Sequence, residues 1–326
     1  MKMDFRRLAL LFAFALAGGS LTAQNKRAAV EPAESEARYL KGVDLFQQGK
    51  NAEAEQAFRE ALELNPKNTR ALMGQVEVMV ADKRPKEAVD LLQSEVTKYP
   101  DRVDLRMALG NASVRAEQYD TAISAYQEVL PQLKEDPQAQ ADLYLRIGET
   151  YRRKGDYQSA IGNLKQAQAM QPDSVTVAGT LAMTLEADGQ RSAAEERYRG
   201  VLKLDPNNAV AMNNLAYLLS ENGGDLDEAM SLALQARKSQ PDMTEISDTV
   251  GWIYLKKGSP DQAIAAFDTV VQKEPARAEY HYHLAMALVQ KGDRFAARQQ
   301  LKAALSCSPS AIEGKKIRDL LEKTAQ

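Results

Sequence analysis

Apolar residues recur along this chain at helical spacing, and the helical runs are punctuated at nearly constant intervals. Residues 141–174 show the pattern: Tyr144, Ile147, Gly148 and Tyr151 fall at i, i+3, i+4 and i+7, one face of a first helix. Gly155 and Asp156 make a turn, and Ala160, Leu164, Ala167 and Gln168 continue the inner face of a second helix. Pro172 has no N–H and drives Gln171 out of the α region, so the second helix is predicted to stop there. Asp173 and Ser174 then offer N-cap oxygens to the next helix.

The same arrangement repeats. Pro66, Pro100, Pro137, Pro172, Pro206, Pro241, Pro275 and Pro309 follow one another at spacings of 34, 37, 35, 34, 35, 34 and 34. A second series, Ala54, Ala88, Ala122, Ala160, Ala194, Ala229, Ala263 and Ala297, keeps step with it, an alanine lying twelve residues before each proline except in the third unit, where the gap is fifteen. Two residue types do not stay in phase over eight periods by accident. A helix pair of this size cannot bury its apolar face alone, so the pairs must stack on one another.

The unit resembles the tetratricopeptide repeat, and the resemblance covers residues 35–309 in units 35–68, 69–102, 103–140, 141–174, 175–208, 209–243, 244–277 and 278–309. The small residue at position 8 of the family appears as Gly42, Gly110, Gly148, Ala182, Ala216, Gly251 and Ala285. The large residue at position 24 appears as Phe58, Leu92, Tyr126, Leu164, Tyr198, Phe267 and Leu301. The second unit departs from the pattern with Val76 and Lys83. The third gains four residues around 131–137, and the sixth gains one at Gly223–Gly224. Residues 310–326 carry a last amphipathic helix, with Ile312, Ile317, Leu320 and Leu321 placed to cap the eighth unit. The resemblance implies an all-α fold: a right-handed superhelical α-solenoid of about eight helix–turn–helix repeats plus a C-terminal capping helix, with the first helices lining a concave groove.

Two stretches fall outside the repeats. Lys2, Arg6 and Arg7 precede the ten-residue apolar run 8–17, and the small residues 18–23 follow it, the order of a secretory signal peptide (1–23) cleaved near Ala23–Gln24. Ten apolar residues are too few for roughly 30 Å of hydrocarbon, so no stable membrane insertion is expected after cleavage, and an exported, periplasmic or secreted location is. Residues 24–34 lack periodicity and are expected to form a flexible leader.

Composition narrows the function classes. The chain has 326 residues, 44% apolar and 27% charged, which suits a folded stack. The formal charge of −3 gives no reason to bind nucleic acid. Cys307 is the single cysteine, and His281 and His283 are two residues apart on a helix and point to different sides. No constellation for catalysis, for a metal or for another cofactor is visible, so a non-enzyme without cofactors is expected.

In the family, positions 2, 5, 6, 9, 12 and 13 of the first helix face the groove. They fall here on Asn213, Asn214, Tyr217, Asp248, Thr249, Trp252, Tyr282, His283 and Met286, with Glu221, Glu245 and Glu279 close by. A second patch comprises Arg146, Glu149, Arg152 and Arg153. Trp252, the one tryptophan, stands at groove position 9 and either contacts a ligand or fills space between neighbouring first helices. The set that clamps a chaperone's terminal carboxylate is not assembled: Met107 and Asp142 stand where lysines are needed. The expected role is a protein-interaction scaffold for envelope or secretion assembly. Its partner would be a protein or peptide segment, apolar with some basic character. A carbohydrate-binding periplasmic factor and an accessory subunit of an enzyme complex are the alternatives.

Overall fold

The computed structural model describes residues 23–325. Among them are seventeen α-helices and no strand, and the chain divides into two compact units, 1–118 and 119–326. The first unit holds α1 (Ala23–Gln47), α2 (Asn51–Leu64), α3 (Thr69–Ala81), α4 (Pro85–Lys98) and α5 (Val103–Arg115). The second holds α6 (Tyr119–Gln127), α7 (Pro137–Lys154), α8 (Tyr157–Met170), α9 (Val175–Ala187), α10 (Arg191–Leu204), α11 (Ala209–Glu221) and α12 (Leu226–Ser239). It continues with α13 (Thr244–Lys256), α14 (Pro260–Lys273), α15 (Ala278–Lys291), α16 (Arg294–Ser306) and α17 (Ala311–Lys323). Within the second unit each helix packs on the next, and the first helices also meet in series, α7 on α9, α11 on α13 and α13 on α15.

Local chemistry sets the helix ends. The side chains of Asp156, Ser174, Asn208 and Asp293 each accept a hydrogen bond from a backbone N–H three residues on. α8 ends at Met170, with Gln171 at φ −129°, as Pro172 requires. Ser310 and Glu313 cap α17 reciprocally. Gly155 and Gly292 close α7 and α15 in the left-handed region, at φ +87° and +91°. Lys83 and Glu117 adopt φ +59° in the corresponding turns of the second and third repeats, a conformation that costs an L-residue about 1 kcal/mol.

The pairing of positions 8 and 24 is the packing unit. A β-carbon built on Gly42, Gly148 or Gly251 would stand 2.6–2.7 Å from Phe58, Leu164 or Phe267 respectively. Each large side chain lies flat on the backbone of the first helix of its own repeat, and Phe58 also presses on Gly74 of the next. Ala54, Ala88, Ala122, Ala160, Ala194, Ala229, Ala263 and Ala297 are all fully buried. Ala194→Leu is therefore expected to destabilise the second unit by about 1–3 kcal/mol through overpacking, whereas Glu196→Leu, on the exposed side of α10, should cost less than 0.5 kcal/mol or so. Urea denaturation of the two variants checks this, and equal midpoints would contradict the repeat register.

The structure corrects the sequence reading in three places, one being Ile312, which stands 73% exposed on α17 instead of covering the eighth unit. Pro137 does not end a second helix: it is the first residue of α7, capped by Asp136, whose side chain accepts from Ala139 N at 2.9 Å. The extra residues of the third repeat thus form a 3₁₀ turn over 130–133 and lengthen α7, while α6 is only nine residues long. Residues 24–34, expected as a flexible leader, lie in α1 despite Pro32 at its interior. Their Ala, Glu, Arg and Gln content carries strong helix propensity, which outweighs the missing apolar period. The expected signal segment lies outside the described residues except for Ala23.

Candidate functional site

The groove positions singled out from the sequence lie on α11, α13 and α15 of the second unit, and the structure gathers many of them into one aromatic and polar network. Its centre is Trp252, only 8% exposed. The indole Nε1 donates to Glu221 Oε1 at 2.8 Å, and Lys256 bridges the same oxygen at 2.7 Å while its Nζ lies 5.0 Å from the indole centroid. His283 packs on the other side, its ring 4.8 Å from Trp252, 5.6 Å from Phe267 and 6.2 Å from Tyr282. Tyr217 lies 6.4 Å from Trp252 and remains 38% exposed.

Of the two readings of Trp252, the structure favours the packing one: its faces are covered and its N–H is used. Thr249 is also buried, its hydroxyl donating to the Glu245 carbonyl at 3.1 Å. Tyr282 and Met286 are half-buried against the core of the last repeats. Asn213 and Asn214 are half-buried. Asn213 Nδ2 donates to Asn214 Oδ1 at 3.3 Å, Asn214 Nδ2 donates to the Tyr198 hydroxyl at 3.3 Å, and that hydroxyl donates to Glu186 Oε2 at 2.7 Å. Asn213 Oδ1 is buried and accepts no hydrogen bond. The solvent-facing ring of this face is thus that of Tyr217.

Charge runs along the same face. Burial, with the carboxylates of Glu221, Glu279, Glu186 and Asp248, pushes the Tyr217 hydroxyl up to about 12. Burial raises the Tyr198 hydroxyl as well, reinforced by its bond to Glu186. Burial also raises the Glu186 carboxyl. Glu221 is opposed by burial, yet hydrogen bonds from Lys256 and Trp252 bring it below the ordinary value. The second patch sits on α7. Arg146 and Arg153 are exposed, Glu149 and Arg152 are half-buried, and Arg152 Nε is buried with no hydrogen-bond partner. Arg146 reaches the Tyr126 hydroxyl.

Glu186 and Tyr198 were not among the sequence candidates. Glu186 holds position 12 of its first helix, a groove position, so the repeat register could have found it. Tyr198 sits at buried position 24, and only the length of its side chain carries the hydroxyl through to the groove.

His283 and Asp248 form a buried hydrogen-bonded pair. Nδ1 of His283 lies 2.9 Å from one Asp248 oxygen and 3.0 Å from the other, with both side chains under 15% exposed. Burial alone would lower the His283 pKa, but the Asp248 bond and the carboxylates of Asp248, Glu279 and Glu221 outweigh it, and the net shift is upward. A raised folded-state pKa means that the pair stabilises the fold fully below the unfolded histidine value of about 6.5 and loses that effect as pH rises through the folded value. The thermal midpoint read by Trp252 emission should therefore fall as pH rises from about 6.5 through the raised folded-state value, and Asp248→Asn should flatten the fall. Matching pH profiles for wild type and Asp248→Asn would exclude the coupling.

His281 has a different setting, with Nδ1 2.7 Å from Gln300 Oε1 and Nε2 3.0 Å from the Pro275 carbonyl oxygen, which ties α15 to α16. Cys307 donates to the Ala303 carbonyl at 3.2 Å. Among the described residues no three His, Cys, Asp or Glu side chains converge as metal ligands, and no helix is long and apolar enough to cross a membrane.

Stacked helix pairs of 34 residues, closed by small-on-large contacts and presenting a polar and aromatic inner face, define an α-helical repeat protein of the protein-interaction class. Tetratricopeptide-repeat family models match residues 39–103, 101–173, 198–230 and 251–312, and the chain belongs to the tetratricopeptide-repeat family. Such repeats generally mediate protein–protein interaction and are typically non-catalytic. The chain is 26% identical over 174 residues to a TPR repeat-containing protein of Pseudomonas aeruginosa, covering 53% of this chain and 28% of the relative. It is 25% identical over 160 residues to the type IV pilus assembly protein PilF of the same organism, covering 48% of this chain and 63% of PilF. The chain thus spans less than two thirds of each of these relatives. Among solved structures, the APC/C hetero-tetramer Cut9–Hcn1 matches with a TM-score of 0.60 at 16% identity, over 94% of this chain and 61% of the other, a likeness of fold.

Proposed function

We propose that this chain is a non-catalytic adaptor that holds a segment of a partner protein against the inner face of its second unit, and that it acts after export, in envelope or secretion assembly. The observation that carries the reading is the continuous inner face from Asn213 and Asn214 to Tyr217 and His283. One aromatic ring is left open there, and polar groups are fixed around it. A half-open tyrosine set among ordered polar groups combines buried area with orientation, as binding hot spots do. The name of PilF, a pilus assembly protein, agrees with an assembly role.

A photo-crosslinker placed at Tyr217 in the full chain, expressed in its native cell, tests the reading. It should capture a defined partner protein that a crosslinker at exposed Lys165, on α8, does not. Capture of the same proteins from both positions, or none from Tyr217, would remove the groove from consideration. Intact mass of the recovered protein checks the export step: retention of residues 1–23 would exclude cleavage at Ala23–Gln24.

A further inference from the structure

On α7 three arginines, Arg146, Arg152 and Arg153, outnumber Asp142 and Glu149, so the inner face of the second unit is graded in charge. Arg152 and Arg153 stand in the last turn of α7, and the buried Nε of Arg152 has no hydrogen-bond partner. At the other end Glu279 on α15 supplies an exposed carboxylate, beside Asp248 on α13 and Glu221 on α11, which are paired with His283 and Lys256. The face is continuous between them. Arg152 and Glu186 both act on the Tyr198 hydroxyl, and Glu186, Asp248 and Glu279 all act on the Tyr217 hydroxyl. Midway lies the buried, unpartnered Oδ1 of Asn213, an acceptor with no donor.

The carboxylates do not suit a metal ion, since no three of them converge. Spread along successive helices beside an open tyrosine ring, they suit a cation on a long flexible arm, the side chain of lysine or arginine. The arginines at the other end suit a carboxylate. Neighbouring helices pack about 8–10 Å apart, so two to four helix steps separate the ends, more than the Debye length of about 8 Å at physiological salt. Each end therefore reads its own part of the ligand. An extended chain advances about 3.3 Å per residue, which places the two charge clusters of the ligand roughly five to twelve residues apart.

We propose that this face takes an extended peptide whose charges are segregated, an acidic block over α7 and a basic block over α11 to α15. The proposal rests on the peptide-binding reading of the groove and specifies its ligand. The two kinds of charge must lie in separate blocks, because an alternating order would set each like charge against its own end.

Panning a display library of random peptides, about twelve residues long as the span requires, against the full chain tests this. The enriched peptides should carry Asp or Glu towards one end and Lys or Arg towards the other. Enriched peptides of one charge sign, or with charges intermixed, overturn the proposal and leave the groove reading standing. Enrichment of nothing above a blank surface overturns both. The strongest peptide, made synthetically, should bind about tenfold more tightly than a shuffle of it with alternating charges. Arg152→Gln with Arg153→Gln should remove only the demand for the acidic block, and Glu279→Gln should weaken only that for the basic block. Both sites lie at the surface or near it, and an unchanged helical circular-dichroism midpoint separates lost binding from lost fold. Equal loss of both preferences in either variant would also overturn the proposal.

Discussion

Phe267→Ala is expected to lower the stability of the second unit by about 3–5 kcal/mol, among the largest effects of any single truncation. The side chain is fully buried, lies flat on Gly251 and borders His283 at 5.6 Å, so its removal opens a cavity where α13, α14 and α15 meet. Gly251→Ala tests the same contact from the other side. In the wild type its methyl would stand 2.7 Å from the Phe267 ring, and overpacking of about 1–3 kcal/mol opposes the gain of about 1 kcal/mol in helix propensity. In the Phe267→Ala background the methyl has room, so the same change should stabilise. Urea denaturation of the four proteins in a double-mutant cycle reads the coupling. Additive effects would mean that positions 8 and 24 do not press on one another.

Trp252→Ala is the second large effect, again about 3–5 kcal/mol. The indole is covered by Lys256, His283 and Tyr217, and its N–H holds Glu221. Its loss exposes the core contact and leaves the Glu221 carboxylate with Lys256 alone. Trp252→Phe keeps most of the apolar volume and drops the hydrogen bond, so it should cost about half as much or less. Calorimetric midpoints of the two variants decide this: a Trp252→Ala midpoint within about 2 °C of wild type would mean that the indole is not part of the core. Loss of partner binding by Trp252→Ala would therefore report unfolding as well as contact. Tyr217→Ala is the cleaner probe of binding, because the ring it removes is more than a third exposed.

The repeat was legible because it rests on spacing. Gly42 and Phe58, Gly148 and Leu164, and Gly251 and Phe267 stand sixteen residues apart each time, and each pair is in contact. The prolines were legible as helix punctuation but ambiguous in direction: Pro172 follows a helix and Pro137 opens one, and only the Asp136 cap separates the cases. The groove was half legible. Register says which way a side chain at position 9 leaves its helix, and it put Trp252 on the inner face. It does not say what closes over that side chain, and here Lys256 from one turn on, Glu221 from the first helix of the preceding repeat and His283 from the first helix of the following repeat all do so. Tyr198 was illegible for the opposite reason, since a core position is defined by where the ring lies and its hydroxyl reaches farther.

The sequential packing of the second unit has a consequence for how such a chain can change over generations. Each of its helices takes neighbours close in the chain, from α7 on α8 to α16 on α17, so no distant strand or helix has to find a new partner when a pair is added or lost. A gene segment copied or dropped in whole repeats leaves every remaining contact in phase, whereas one lost residue inside a helix rotates all that follows by about 100°. The inner face inherits the same arithmetic. Each duplicated pair would add one more stripe of side chains between the arginine end and the carboxylate end, so inheritance can lengthen the recognised ligand without redesigning either terminus.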